Sequence, residues 1–150
     1  MKGDNMMPDN KKMTESDFIS SGEDIYIHED FDMMGDDMNP MHQMHHNRIL
    51  DTLQHCEATC EDMTTMILRR MDIQRRVRQL ELLRDCADIC SFTSKYIARD
   101  SRFAKYTANL CAYICEICGN ECLRHRDAES QRCGRICLNC ARECKAFAMM

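Results

Sequence analysis

The sequence has no tryptophan, only two prolines and only five glycines, and no proline follows Pro40. From Met41 onward the only glycines are Gly119 and Gly134, so the C-terminal part lacks the residues that break helices and make tight turns. No run of about 18 apolar residues occurs, which removes a membrane-spanning helix. No Glu-x-x-His occurs either, which removes a ferritin-like di-iron centre. The segment from Met1 to Asp17 has neither an apolar signal core nor a twin-arginine pair, which points to the cytoplasm.

Charge divides what is present. Residues 1–47 hold eleven acids against three lysines, whereas residues 48–150 hold seventeen Lys/Arg against fourteen acids. Basic and acidic residues alternate at helical spacing in the second part, which suits a solvated surface and gives no case for nucleic acid. Residues 1–40 are read as an acidic, Met-rich arm that is largely disordered. Nine of the fourteen methionines fall within residues 1–47, and Met41 and Met44 interleave with His42, His45 and His46. Two roles stay open for the arm, a segment that captures metal on its thioethers and imidazoles and a solubilising tail.

Residues 41–150 read as one all-α domain, an antiparallel up-down four-helix bundle with cysteines lining the core. The spacing predicts helices over about 41–70, 74–98, 102–125 and 128–147. Asn39, Asp100 or Ser101, and Asp127 are the candidate N-caps. Short connections make successive helices antiparallel neighbours.

Twelve cysteines occupy this domain. Cys111, Cys115, Cys118 and Cys122 read C-x3-C-x2-C-x3-C, and Cys133, Cys137, Cys140 and Cys144 repeat it. At about 100° per residue each quartet spans an arc of about 60°, a stripe of thiols roughly 16 Å long. Cys56/Cys60 and Cys86/Cys90 repeat the C-x3-C unit upstream. Reflection through the turns puts Cys111 level with Cys144 and Cys90, and Cys115 with Cys140, Cys86 and Cys56. The same reflection puts Cys118 level with Cys137 and Cys60, and Cys122 with Cys133. His125 follows Cys118 by seven residues and is expected at one end of the stripe, with Met63 and Met66 and an opening.

Cysteines on one helix face cannot bridge among themselves, because their Cβ vectors run nearly parallel. Soft thiolates select Cu(I), zinc or iron–sulfur clusters. Zinc takes four converging ligands, whereas Cu(I) accepts two or three sulfurs, so a chain of bridged ions suits long stripes. A zinc or other soft-metal thiolate buffer, an iron–sulfur redox protein and a disulfide-stapled helical domain remain the alternatives. The triad C-x3-C-x2-C also matches radical-SAM enzymes, but here it lies within helices without strands for their barrel.

The stretches Asn109–Cys122 and Cys133–Cys144, with the turn Ile97–Ser101 and His125, resemble the bacterial copper storage proteins. These are Cys-rich four-helix-bundle copper-binding proteins, and the likeness is to the cytosolic type over about 48–147. It implies storage or sequestration of multiple Cu(I) ions, no catalysis, and a homo-oligomer, commonly a tetramer. The expected metal-binding set is Cys56, Cys60, Cys86, Cys90, both quartets, His125 and Met63. The first two helices carry two cysteines each, fewer than cytosolic relatives usually have. One Cu(I) per thiolate gives a capacity on the order of twelve.

Overall fold

The computed structural model describes residues 39–150. The expectation of a largely disordered arm therefore lies outside the described residues, apart from Asn39 and Pro40 at the start of the first helix. Four helices follow in order: α1 (Pro40–Leu68), α2 (Val77–Ala98), α3 (Ala104–Leu123) and α4 (Ala128–Met149). A 3-10 turn, Ile73–Arg76, leads into α2. Each helix packs against two others in the closed ring α1–α2–α3–α4, the expected up-down bundle.

Local chemistry sets the helix ends. Asn39 Oδ1 accepts a hydrogen bond from Met41 N at 3.1 Å, and Pro40 supplies the preset φ of a first helical residue. Asp127 Oδ2 accepts from Ser130 N at 3.0 Å and caps α4 as expected. The cap expected for α3 is different. Asp100 adopts φ 49° and belongs to the end of α2. Its N–H bonds Ile97 O at 2.9 Å and that of Ser101 bonds Tyr96 O at 3.0 Å, a Schellman closure with aspartate in the left-handed position. Asp100 is thus spent on closing α2, and α3 begins two residues later than the sequence suggests. Ser101 Oγ still accepts from Phe103 N at 3.2 Å.

One face of each helix is buried at offsets of three and four. On α1 these residues are Ile49, Leu53, Cys56, Cys60, Met63 and Ile67. On α2 they are Gln79, Leu83, Cys86, Ala87, Cys90, Thr93 and Ile97, while Leu82 and Ile89 are half-buried on the flanks. The α3 and α4 faces contain cysteine, alanine, glycine and Ser130, without one large aliphatic residue. Such small side chains let the two helices approach closely. A Cβ built on Gly119 would stand 2.9 Å from Gly134 O, and one on Gly134 would stand 2.9 Å from Gly119 O. Backbone meets backbone there, which brings the two full cysteine stripes side by side.

Candidate metal centre

All twelve cysteines are free thiols and all are buried. Their sulfurs form a continuous column. Toward the start of α3, Cys111 Sγ lies 3.7 Å from Cys144, 3.8 Å from Cys90 and 3.7 Å from Cys115. Cys56, Cys90, Cys115 and Cys140 form the next group, with every sulfur within 4.8 Å of the others. Cys56, Cys60, Cys86 and Cys137 form another, in which Cys60 and Cys137 stand 3.5 Å apart. The column continues through Cys133, 4.0 Å from Cys137. Cys118 neighbours Cys60, Cys86, Cys122 and Cys137, and Cys122 neighbours Cys133. The levels expected from reflection through the turns are those observed.

These separations suit shared ligands. At a metal–sulfur length of about 2.3 Å, three sulfurs around one ion stand about 4 Å apart. Cys56 belongs to two of the four-sulfur groups, so they are not two separate sites. The thiols also share protons. Cys140 is pushed up to about 11, foremost by its hydrogen bond with Cys111 and further by burial. Cys90 is raised chiefly through Cys111, and Cys60 and Cys137 chiefly through Cys118. Cys111 and Cys118 are held down by the hydrogens they receive, from Cys115 and Cys122 foremost. Protons therefore leave in steps that belong to the whole set.

Both ends of the column are closed along its axis. Beyond Cys111 and Cys144 lie apolar residues: Ile49, Leu53, Ile97, Ala104 and Ala108. Beyond Cys122 lies a polar plug that the sequence reading did not anticipate. Gln79 Nε2 donates to Ser130 Oγ at 2.9 Å and to Cys122 Sγ at 3.6 Å. Arg76 Nη1 reaches Gln79 Oε1 and Ser130 Oγ, both at 3.1 Å, and Asp127 Oδ1 at 2.8 Å. That last contact is a close ion pair without hydrogen-bond alignment, since Asp127 Oδ1 has no hydrogen-bond partner. Gln79 lies four residues before Leu83 and seven before Cys86, so extending the α2 stripe backward is the signal that finds it.

The opening expected at this end is lateral. A cleft of about 380 Å³ is lined by Met63, Met66, Cys133, Thr59, Asp62 and residues of the first turns of α4. Met63 is buried while Met66 is 37% exposed, so the two thioethers lead from the surface toward Cys133. His125 does not line this cleft. Because α3 stops at Leu123, helical projection no longer applies to His125. Its Nε2 is buried without a hydrogen-bond partner, 3.6 Å from Glu121 Oε1. Glu121 in turn receives Arg78 Nε at 3.1 Å.

The family model described as copper storage protein matches residues 42–149. An uncharacterized cysteine-rich protein of Bacillus subtilis, YhjQ, is 37% identical over 93 residues, 62% of this chain and 86% of that protein. Among solved structures, the Cu(I)-bound copper storage protein BsCsp3 is 33% identical with a TM-score of 0.66. The alignment covers 69% of this chain and 98% of that one. A copper storage protein of Streptomyces lividans, loaded with 10 copper equivalents, shares the fold at 20% identity and a TM-score of 0.71. That alignment covers 79% of this chain and 94% of that one. The stacked thiols sit in a bundle that the family match spans almost from end to end, and the chain belongs to the copper storage protein family.

Proposed function

We propose that the bundle stores multiple Cu(I) ions on its cysteine thiolates and carries out no catalysis. The observation that carries this is the absence of compensating charge. Among the described residues, the only buried charged side chain is Arg76, which lies beyond the last thiol layer. One Cu(I) per thiolate is electrically neutral, because each ion displaces one thiol proton. A tetrahedral zinc with four thiolates leaves two negative charges, and so does a cubane iron–sulfur cluster in its usual state. Such charges are costly inside a core without cations. The shared position of Cys56 in two sulfur groups favours bridged ions for the same reason.

In this reading all twelve cysteines are ligands. Met63, with Met66, passes copper from the lateral cleft to Cys133. His125 serves the same end as an auxiliary ligand, supported by its unpartnered Nε2. The free thiols suit a reducing compartment such as the cytosol. The test is an anaerobic Cu(I) titration against a competing chelator, with a parallel zinc titration. Saturation at on the order of twelve ions is expected. Saturation at one or two, or displacement of Cu(I) by zinc, would overturn the proposal.

Self-association is part of the same reading, as a tetramer. Tyr106, Leu110 and Tyr113 on α3 are 76%, 51% and 63% exposed. They border a groove of about 600 Å³ whose far wall includes Leu138 and Ala141 of α4. Exposed tyrosines and a leucine beside the polar rim of Asn109, Glu116, Arg142 and Lys145 suit contact with a second copy of the chain. Light scattering should return a multiple of the 17.6 kDa chain mass. A monomer mass for both the apo and the loaded protein would refute it.

A further inference from the structure

The first two turns of α1 project beyond the bundle core. Met41, His42, Met44 and His45 are exposed, His46 is half-buried, and the first buried residue of the helix is Ile49. His42 and His46 are one helical turn apart, and their rings face each other with centroids 6.3 Å apart at an interplanar angle of 55°. Small rotamer changes bring one nitrogen from each ring to a single ion at a metal–nitrogen length of about 2.0–2.1 Å. The helix fixes both backbones beforehand, because Ile49 and Leu53 anchor the following turns in the core at 4% and 0% exposure. The ordering cost of binding is correspondingly small.

This pair differs from the core in chemistry and in place. His42 and His46 continue the line of Ile49, Leu53 and Cys56 at offsets of three and four. The pair nevertheless stands ten residues, about 15 Å, from the nearest thiol on α1. The apolar seal of Ile49, Leu53 and Ile97 lies between them. It is also at the opposite end of the bundle from Cys133 and the lateral cleft. Imidazole is a borderline ligand that suits divalent copper, nickel and zinc, and among these the Irving–Williams order puts Cu(II) first.

We propose that His42 and His46 form a second, independent metal site that binds one divalent transition-metal ion, Cu(II) in preference to Ni(II) or Zn(II). The site needs no thiolate, so it stands whether or not the core stores Cu(I). The protein would then hold copper in two oxidation states at two places.

The test uses the full chain with its thiols first saturated by Cu(I) under anaerobic conditions, followed by titration with Cu(II) alone. Electron paramagnetic resonance should show one bound Cu(II) with hyperfine structure from two imidazole nitrogens. His42→Ala and His46→Ala should each weaken binding by about tenfold or more and remove that two-nitrogen pattern. Replacing the exposed His55 on the same helix with alanine should change neither. The number of Cu(I) ions taken up beforehand should be equal in all variants, so failure here is separable from failure of the core. A wild-type Cu(II) spectrum and affinity in the His42/His46 double variant would overturn the proposal.

Discussion

Replacing Cys137 with alanine is expected to remove about two Cu(I) ions from the saturated protein, whereas Cys144→Ala should remove about one. The difference follows from where each sulfur sits. Cys137 Sγ lies 3.5 Å from Cys60 and 4.0 Å from each of Cys56, Cys86 and Cys133. Cys144 Sγ has two near partners, Cys111 at 3.7 Å and Cys140 at 3.9 Å. A thiolate in the middle of the column bridges ions on both sides, so its loss leaves two of them short of a ligand. At the end of the column only one ion depends on it.

The apo fold should survive both changes. Cysteine packs as a small apolar residue, and deleting one sulfur from a core costs about 1 kcal/mol, comparable to a methylene. Circular dichroism should therefore show wild-type helix content, while anaerobic titration reads the lost ions. Loading should also raise the melting temperature by mass action, less so for Cys137→Ala. Equal capacity in the wild type and Cys137→Ala would remove the bridged column. Equal losses from both variants would remove the distinction between its middle and its end.

Much of this column was legible before any coordinates. The offsets of four, seven and eleven fix a helix face, and connections of a few residues fix antiparallel neighbours, so level follows from counting. Cys111 with Cys144 and Cys90 came directly from that arithmetic, and the sulfurs are found at 3.7 and 3.8 Å. Arithmetic fails where the helix ends. His125 lies past the last residue of α3, and its imidazole turns toward Glu121. Asp100 looks like an N-cap in sequence, yet its positive φ closes α2 instead. The polar plug was missed for another reason. Arginine and glutamine read as surface residues, and their mutual pairing with Ser130 and Asp127, together with the Arg76 Nε hydrogen bond to Asp72 at 3.0 Å, makes burial tolerable.

That plug gives the other large expected effect. Arg76→Ala should destabilise the apo protein by about 3–5 kcal/mol, because it leaves the Asp127 carboxylate without its cation and Gln79 Oε1 without a donor. The Arg76 side chain is 6% exposed and that of Asp127 12%, so water cannot replace the lost partner. Asp127→Asn separates charge from capping, since asparagine caps helices about as well as aspartate. Burial raises the Asp127 pKa, but the hydrogen bonds from Ser130 and the ion pair with Arg76 outweigh it and lower the value to about 2. A carboxylate lowered in the folded state adds stability above its unfolded pKa of about 3.9, and that stability is lost as pH falls toward the folded value. Urea unfolding between pH 5 and about 2 should therefore show a wild-type acid limb that is shallower in Asp127→Asn, by about 2 kcal/mol over the range. Asp72, held down foremost by Arg70 and also by the Arg76 it shares with Asp127, supplies part of the limb in both proteins, so the difference between them reads the loss of the Asp127 charge together with its effect on that shared arginine. If Arg76→Ala unfolds within about 1 kcal/mol of wild type, the plug is not a structural seal. If it does seal the end over Cys122, the same variant should also take up Cu(I) faster, because copper gains an axial path in addition to the cleft beside Met63 and Met66.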